Sequence, residues 1–215
     1  MKTRLSSQAM IILAVVAISC GANTEVRAGT ITVGQLQPGC GVFAFDPQGR
    51  AISKNFNQMC TMDVVFTVTN SGGEIRHNLQ ENVGNGTQST WFDFHMRLGF
   101  GTGAQFTPVA ADCGVVAFTN QGQPPTRSVP FLRSDVGSNG IDWSGGTVLP
   151  TGVALFTFSV LVNDLAPCVP AGFRDANGFR FTLRQTPTVP EPATMLLLGT
   201  GVAAVAMKMR RRFRK

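Results

Sequence analysis

Along the middle of the chain, apolar and polar residues alternate with a period of two. In Phe179-Arg180-Phe181-Thr182-Leu183-Arg184, the residues Phe179, Phe181 and Leu183 fall on one face of an extended chain, and Arg180, Thr182 and Arg184 on the other. Successive side chains of a strand point to opposite faces, so this segment reads as a half-buried strand. Phe92, Phe94, Met96 and Leu98 alternate in the same way with Trp91, Asp93, His95 and Arg97. Met62, Val64, Phe66 and Val68 alternate with Asp63, Val65, Thr67 and Thr69, and Phe156, Phe158, Val160 and Val162 with Leu155, Thr157, Ser159 and Leu161. Shorter strands are predicted at 30–34, 42–45 and 115–119. Helical periodicity is nearly absent; residues 74–83 fit a short helix or an amphipathic strand about equally.

Turn-forming residues punctuate these runs: Asn70-Ser71-Gly72-Gly73, Gly84-Asn85-Gly86, Asn139-Gly140, Ser144-Gly145-Gly146 and Asp175-Ala176-Asn177-Gly178. Glycine and asparagine supply the positive φ angles that tight hairpins require. Seven or more short, alternating strands predict an all-β fold, an antiparallel β-sandwich of jelly-roll type, over residues 29–184. Residues 185–189 read as a stalk behind it.

The two ends follow different patterns. Residues 1–4 are basic and 9–19 form an uncharged apolar run, shorter than the roughly 20 residues that span a bilayer as helix. This is the layout of a signal peptide, expected to form an N-terminal signal helix over residues 1–28 and to be removed by signal peptidase. Val26-Arg27-Ala28 is one small-x-small cleavage pattern and Ala17-Ile18-Ser19 an earlier one. Cys20 would be lipidated in a bacterial lipoprotein, but Ala17 is atypical at the third position before such a cysteine.

At the other end, Pro190-Glu191-Pro192 precedes an uncharged stretch, 193–207, and then Lys208, Arg210, Arg211, Arg212, Arg214 and Lys215. The prolines hold the tripeptide extended, ready to be gripped by an enzyme. The apolar stretch is only about 22 Å long as a helix, a thin span whose flanking cations must snorkel. The basic cluster should remain cytoplasmic while the body lies outside.

Charge sharpens this division. The 215 residues carry a net +6, yet residues 29–189 hold nine Lys/Arg against ten Asp/Glu. The excess positive charge belongs to the ends, which removes the usual inference from a basic protein to a nucleic-acid partner.

Tripeptide, apolar helix and terminal arginine cluster in this order resemble the PEP-CTERM sorting signal of Gram-negative bacteria. The resemblance covers residues 190–215. It implies recognition by a membrane-embedded exosortase, a membrane-anchored intermediate, and delivery to the cell surface or beyond, in cells that typically make exopolysaccharide. Such tails are also labelled an ice-binding protein C-terminal domain, a label that describes the tail and implies nothing about ice binding by the body. The segments Val64-Val65-Phe66-Thr67-Val68-Thr69-Asn70 and Thr90-Trp91-Phe92-Asp93-Phe94-His95 also resemble β-domains common in PEP-CTERM proteins, which implies a fold more than an activity.

With Cys20 discarded, Cys40, Cys60, Cys113 and Cys168 remain, an even number in an oxidising compartment. Two disulfides are expected. Cys40–Cys60 with Cys113–Cys168 is favoured among the three connectivities because near neighbours need least loop closure. A zinc site wants close pairs such as C-x-x-C, and no two of these cysteines are nearer than twenty residues.

Candidate chemistry in the body is sparse. The only histidines are His77 and His95. Asp93 and His95 share a predicted strand face with Trp91 and Arg97 beside them, and a carboxylate that orients an imidazole is the start of a general base. A nucleophile is missing, since Ser144 in Asp142-Trp143-Ser144-Gly145-Gly146 lacks the first glycine of a Gly-x-Ser-x-Gly elbow. An ordinary polar strand face explains these residues as well. Asp175-Ala176-Asn177-Gly178 begins like a calcium loop but has no closing glutamate, and a hairpin turn is the plainer reading. Trp91 and Trp143 form either a sugar-stacking surface or part of the core. Thr67 and Thr69 belong to no repeated threonine array and read as ordinary strand. The expectation is an exported, non-enzymatic envelope or matrix protein without cofactor or metal, with exopolysaccharide as a partner. A sugar- or calcium-binding module is the alternative, and an extracellular hydrolase using Asp93 and His95 comes third.

Overall fold

The computed structural model describes residues 31–36, 40–45, 51–69, 72–121 and 126–189. The expected signal helix, its cleavage sites, the Pro190-Glu191-Pro192 motif, the apolar tail helix and the basic end lie outside the described residues.

Thirteen strands are described: β1 Ile31–Leu36, β2 Gly41–Phe45, β3 Ala51–Phe56, β4 Met62–Thr69, β5 Glu74–Asn85, β6 Asp93–Phe100, β7 Thr107–Pro108, β8 Val116–Thr119, β9 Arg127–Val129, β10 Arg133–Val136, β11 Gly140–Ser144, β12 Val153–Asn163 and β13 Gly178–Thr188. They form two sheets. The first runs β1-β4-β13-β6-β11-β10, with β7 added to β6; the second runs β2-β3-β5-β12-β8, with β9 also on β12. Every pairing is antiparallel except β3 with β5.

Alternation selects the face that each sheet buries. Phe179, Phe181 and Leu183 of β13 pair in register with Val68, Phe66 and Val64 of β4, and all six side chains are buried. The second sheet meets them with Phe156, Phe158 and Val160 of β12 and Leu79 and Val83 of β5. Phe156 interlocks the layers: its ring lies 4.7 Å from that of Phe94 and 5.2 Å from that of Trp143, both on the opposite sheet. Burying each large aromatic contributes about 1.5–3 kcal/mol by area, so this layer supplies most of the favourable folding free energy.

The undecided segment 74–83 lies in β5, a twelve-residue strand. It pairs with β12 from Glu74 to Gly84 and with β3 from Gln80 to Asn85, and two ladders outweigh the favourable helical propensity of its glutamine and glutamate residues. Two expectations are corrected. The alternating phase of β6 does not extend back to Trp91: the strand starts at Asp93, Trp91 bridges to Val148 and is buried, and Phe92 is 41% exposed. The pleat breaks there so that the larger ring fills the core. Residues 185–188 are not a stalk, because β13 continues through them and pairs Thr186, Pro187 and Thr188 with His95, Phe94 and Asp93. β11, between two glycine-rich turns, is not among the predicted strands, although Ile141 and Trp143 alternate with Asp142.

The cysteines pair as Cys40–Cys60 and Cys113–Cys168. One bond ties the start of β2 to the approach to β4; the other joins the loops before β8 and after β12. At Gly178 only glycine fits: a Cβ there would stand 1.8 Å from the Val68 carbonyl oxygen.

Candidate functional site

The outer face of the first sheet carries His95 and Arg97 of β6. β6 and β11 pair His95 directly with Asp142, so the imidazole meets a carboxylate from the neighbouring strand and not Asp93. Nδ1 of His95 lies 2.5 Å from Oδ1 of Asp142. Nη2 of Arg97 donates to the same oxygen at 2.6 Å, while Nη1 donates to the carbonyls of Met96 and Ile141. Gly140 stands opposite Arg97, and a Cβ at that position would meet Nη1 at 2.8 Å, so the glycine makes room for the guanidinium. Side-chain exposure of 34% for His95, 37% for Arg97 and 44% for Asp142 keeps the cluster in contact with water.

Partial burial alone would raise the pKa of Asp142, but the hydrogen bonds from His95 and Arg97, reinforced by their charges, lower it overall. One carboxylate oxygen thus meets both the imidazole and the Arg97 guanidinium. Ser144 lies two residues along β11, and no side-chain hydrogen bond links it to His95. Among the described residues no nucleophile is hydrogen-bonded to the imidazole.

The other predicted site residues disperse. Trp91 is fully buried and Trp143 is 1% exposed, both packed among phenylalanines, so neither presents a face to a sugar. That corrects the stacking expectation for these two rings. In the 175–178 segment the backbone N–H of Asn177 donates to Asp175 Oδ1, and that of Asp175 to the Gly178 carbonyl, which closes a tight turn. No group of three or more His, Cys, Asp or Glu residues able to hold a metal occurs among the described residues. Thr67 pairs across the outer face with Thr32 and Arg180 as ordinary strand.

Two ionic constellations escaped the sequence reading. Arg184 grips the fully buried Asp63 with a fork, Nε to Oδ1 and Nη2 to Oδ2 at 2.7 Å each, while its guanidinium stacks 3.9 Å from the Phe106 ring centre. The Gly103 N–H also donates to Asp63. Between the sheets, Lys54, Glu81 and Gln185 meet in the core. A signal for the second was present, because each occupies the apolar phase of its strand: Ile52-x-Lys54-x-Phe56, Leu79-x-Glu81-x-Val83 and Leu183-x-Gln185-x-Pro187.

Fold and site together define a two-sheet, disulfide-bonded β-protein with polar clusters on one outer face and in the core. Residues 188–212 match the family described as the PEP-CTERM protein-sorting motif, so the chain carries that motif directly behind its last strand. The motif implies export, processing by an exosortase and a membrane-anchored intermediate before the cell surface. No curated protein and no solved structure matches the chain.

Proposed function

We propose that the chain is an exosortase-sorted component of the cell envelope or extracellular matrix, with a non-enzymatic body in a structural or polysaccharide-associated role. The observation that carries this reading is the sorting motif at 188–212, which begins at the final residue of β13. The body suits such a destination. Two disulfides brace it, each worth about 2–4 kcal/mol to a domain that stands outside the cell. The strand order β4-β13-β6-β11 in one sheet and β5-β12-β8 in the other, with the chain passing from sheet to sheet, supports a jelly-roll body with added edge strands. Signal peptidase and the exosortase are the processing partners, and matrix exopolysaccharide is the surrounding material the mature body meets.

Terminal peptide mapping of the protein recovered from the surface and medium of its host tests the reading. A product beginning near Gly29 and ending near Pro190 is expected. Deletion of residues 190–215 is expected to change where the protein accumulates. A recovered chain that still ends at Lys215, or unaltered localisation after the deletion, would withdraw it in favour of a simple anchor.

A further inference from the structure

Lys54 on β3, Glu81 on β5 and Gln185 on β13 stand in the apolar layer between the sheets, with side chains withdrawn from solvent. Lys54 and Glu81 belong to one sheet and Gln185 to the other, so their contacts cross the core. Nζ of Lys54 lies 2.8 Å from Oε2 of Glu81 and also donates to Oε1 of Gln185. Nε2 of Gln185 donates to that same Oε2. The second carboxyl oxygen of Glu81, Oε1, is buried without a partner.

As a plain ion pair this arrangement is poorly built. Burying an ammonium and a carboxylate is repaid only when their remaining lone pairs and protons are bonded, and Oε1 is not. Burial, opposed by the nearby Glu81, lowers the pKa of Lys54. Transfer of one proton from Nζ to Glu81 removes both charges and leaves a neutral amine against a carboxamide, with a carboxylic acid touching both nitrogens. Those are the parts of an amide exchange: a desolvated nucleophilic amine, an electrophilic carbon and a proton carrier between the attacking and leaving atoms.

We propose that Lys54 and Gln185 become joined by an intramolecular isopeptide bond, with Glu81 as the general acid and base. The Nζ lone pair attacks Cδ of Gln185, and the carbonyl π electrons move to Oε1. Glu81, now the acid, delivers its proton to Nε2, and the carboxylate so formed takes the surplus proton from Nζ. The Cδ–Nε2 bond then breaks with its electron pair on nitrogen, the carbonyl re-forms, and ammonia leaves. A primary amine and a primary carboxamide thus become a secondary amide and ammonia. Glu81 is regenerated, and neither oxidant nor cofactor takes part. Amines and amides exchange slowly in water, but reactants held in position reach effective molarities of order 10⁵–10⁸ M. The bond links residues 131 positions apart and fastens the β2–β3 edge of one sheet to a central strand of the other. Unlike the two disulfides it resists reduction.

The test is the intact mass of the reduced protein recovered from its host, with tandem mass spectrometry of its tryptic peptides. A mass one ammonia below that of the mapped sequence is expected, with the loss assigned to a branched peptide joining the segments around Lys54 and Gln185, and with no cleavage after Lys54. Glu81→Gln, checked as folded by its two disulfides, is expected to keep the full mass. A wild-type chain at full mass, or an ammonia loss mapped elsewhere, such as an Asn-Gly succinimide, would overturn the bond. Complete linkage in folded Glu81→Gln would overturn the role of Glu81. Because the reference mass is that of whichever termini are found, failure of tail processing and failure of the cross-link are read separately.

Discussion

Two polar clusters lie on opposite faces of the first sheet and meet β13 at adjacent residues. On β13, Gln185 pairs with Met96 and points into the core, while Thr186 pairs with His95 and faces out. The outer cluster, His95, Arg97 and Asp142, is at least a third exposed at each side chain, whereas the inner one, Lys54, Glu81 and Gln185, is dry. Both contain a cation and a carboxylate. In water such a pair is screened and its partners stay charged; in the core, charge separation is so unfavourable that neutral forms and covalent chemistry come within reach. A one-residue step along a strand therefore changes what the same functional groups can do.

The sharpest way to break that contrast is an ion pair with one dry member. Arg184→Ala would leave Asp63 fully buried and unpaired, and a loss of about 3–5 kcal/mol is expected in denaturant unfolding. Arg184→Lys should recover only part of this, because an ammonium cannot form the two-pronged contact. A loss below about 1 kcal/mol for Arg184→Ala would show that burial does not separate the two classes.

The disulfides set the next scale. By chain-entropy reasoning, replacing Cys113 and Cys168 with serine should cost about 4 kcal/mol, and replacing Cys40 and Cys60 about 3 kcal/mol, since the loops span 55 and 20 residues. Equal or reversed losses in thermal unfolding would contradict that ordering.

For the wet cluster the expected effect is small. Asp142→Asn should cost less than about 1 kcal/mol at neutral pH, as exposed pairs do. The sign of its pH dependence follows from a carboxyl pKa lowered in the folded state: the contribution is present above the unfolded pKa and fades as pH falls through the lower folded one. Acid titration of stability should therefore show a wild-type loss, below the usual carboxylate range, that is reduced in Asp142→Asn. An identical acid profile in the two proteins would remove the cluster from the stability account.

The gentlest probe changes nothing in the chain. It has no tyrosine and two tryptophans, so its intrinsic emission comes from Trp91 and Trp143. Emission should be blue-shifted, poorly quenched by acrylamide and unchanged by added polysaccharide. Strong quenching relieved by a sugar would restore the stacking reading.

How much could be read beforehand varied with how local the physics was. β4, β6, β12 and β13 were legible because a period of two over several residues is a direct consequence of pleat geometry. Short edge strands such as β9 and β10 carry too few residues to show a period. Trp91 falls on the wrong face when the alternation is carried two residues back past the start of β6, and only the fit of the ring between Phe56 and Phe94 reveals the break. Lys54, Glu81 and Gln185 each stood visibly out of phase in their own strands, yet nothing local says that the three converge.

By itself the sequence determined the all-β character of the body, its even set of four cysteines, its near-neutral charge and the sorting motif at its end, because alternation, composition and contiguous motifs are properties of neighbouring residues. Tertiary structure alone decided that Asp142 and not Asp93 meets His95, that residues 185–188 belong to the central strand, and that a lysine, a glutamate and a glutamine share one dry site. Those outcomes depend on register between strands far apart in the chain, and register is settled by how two complete faces pack.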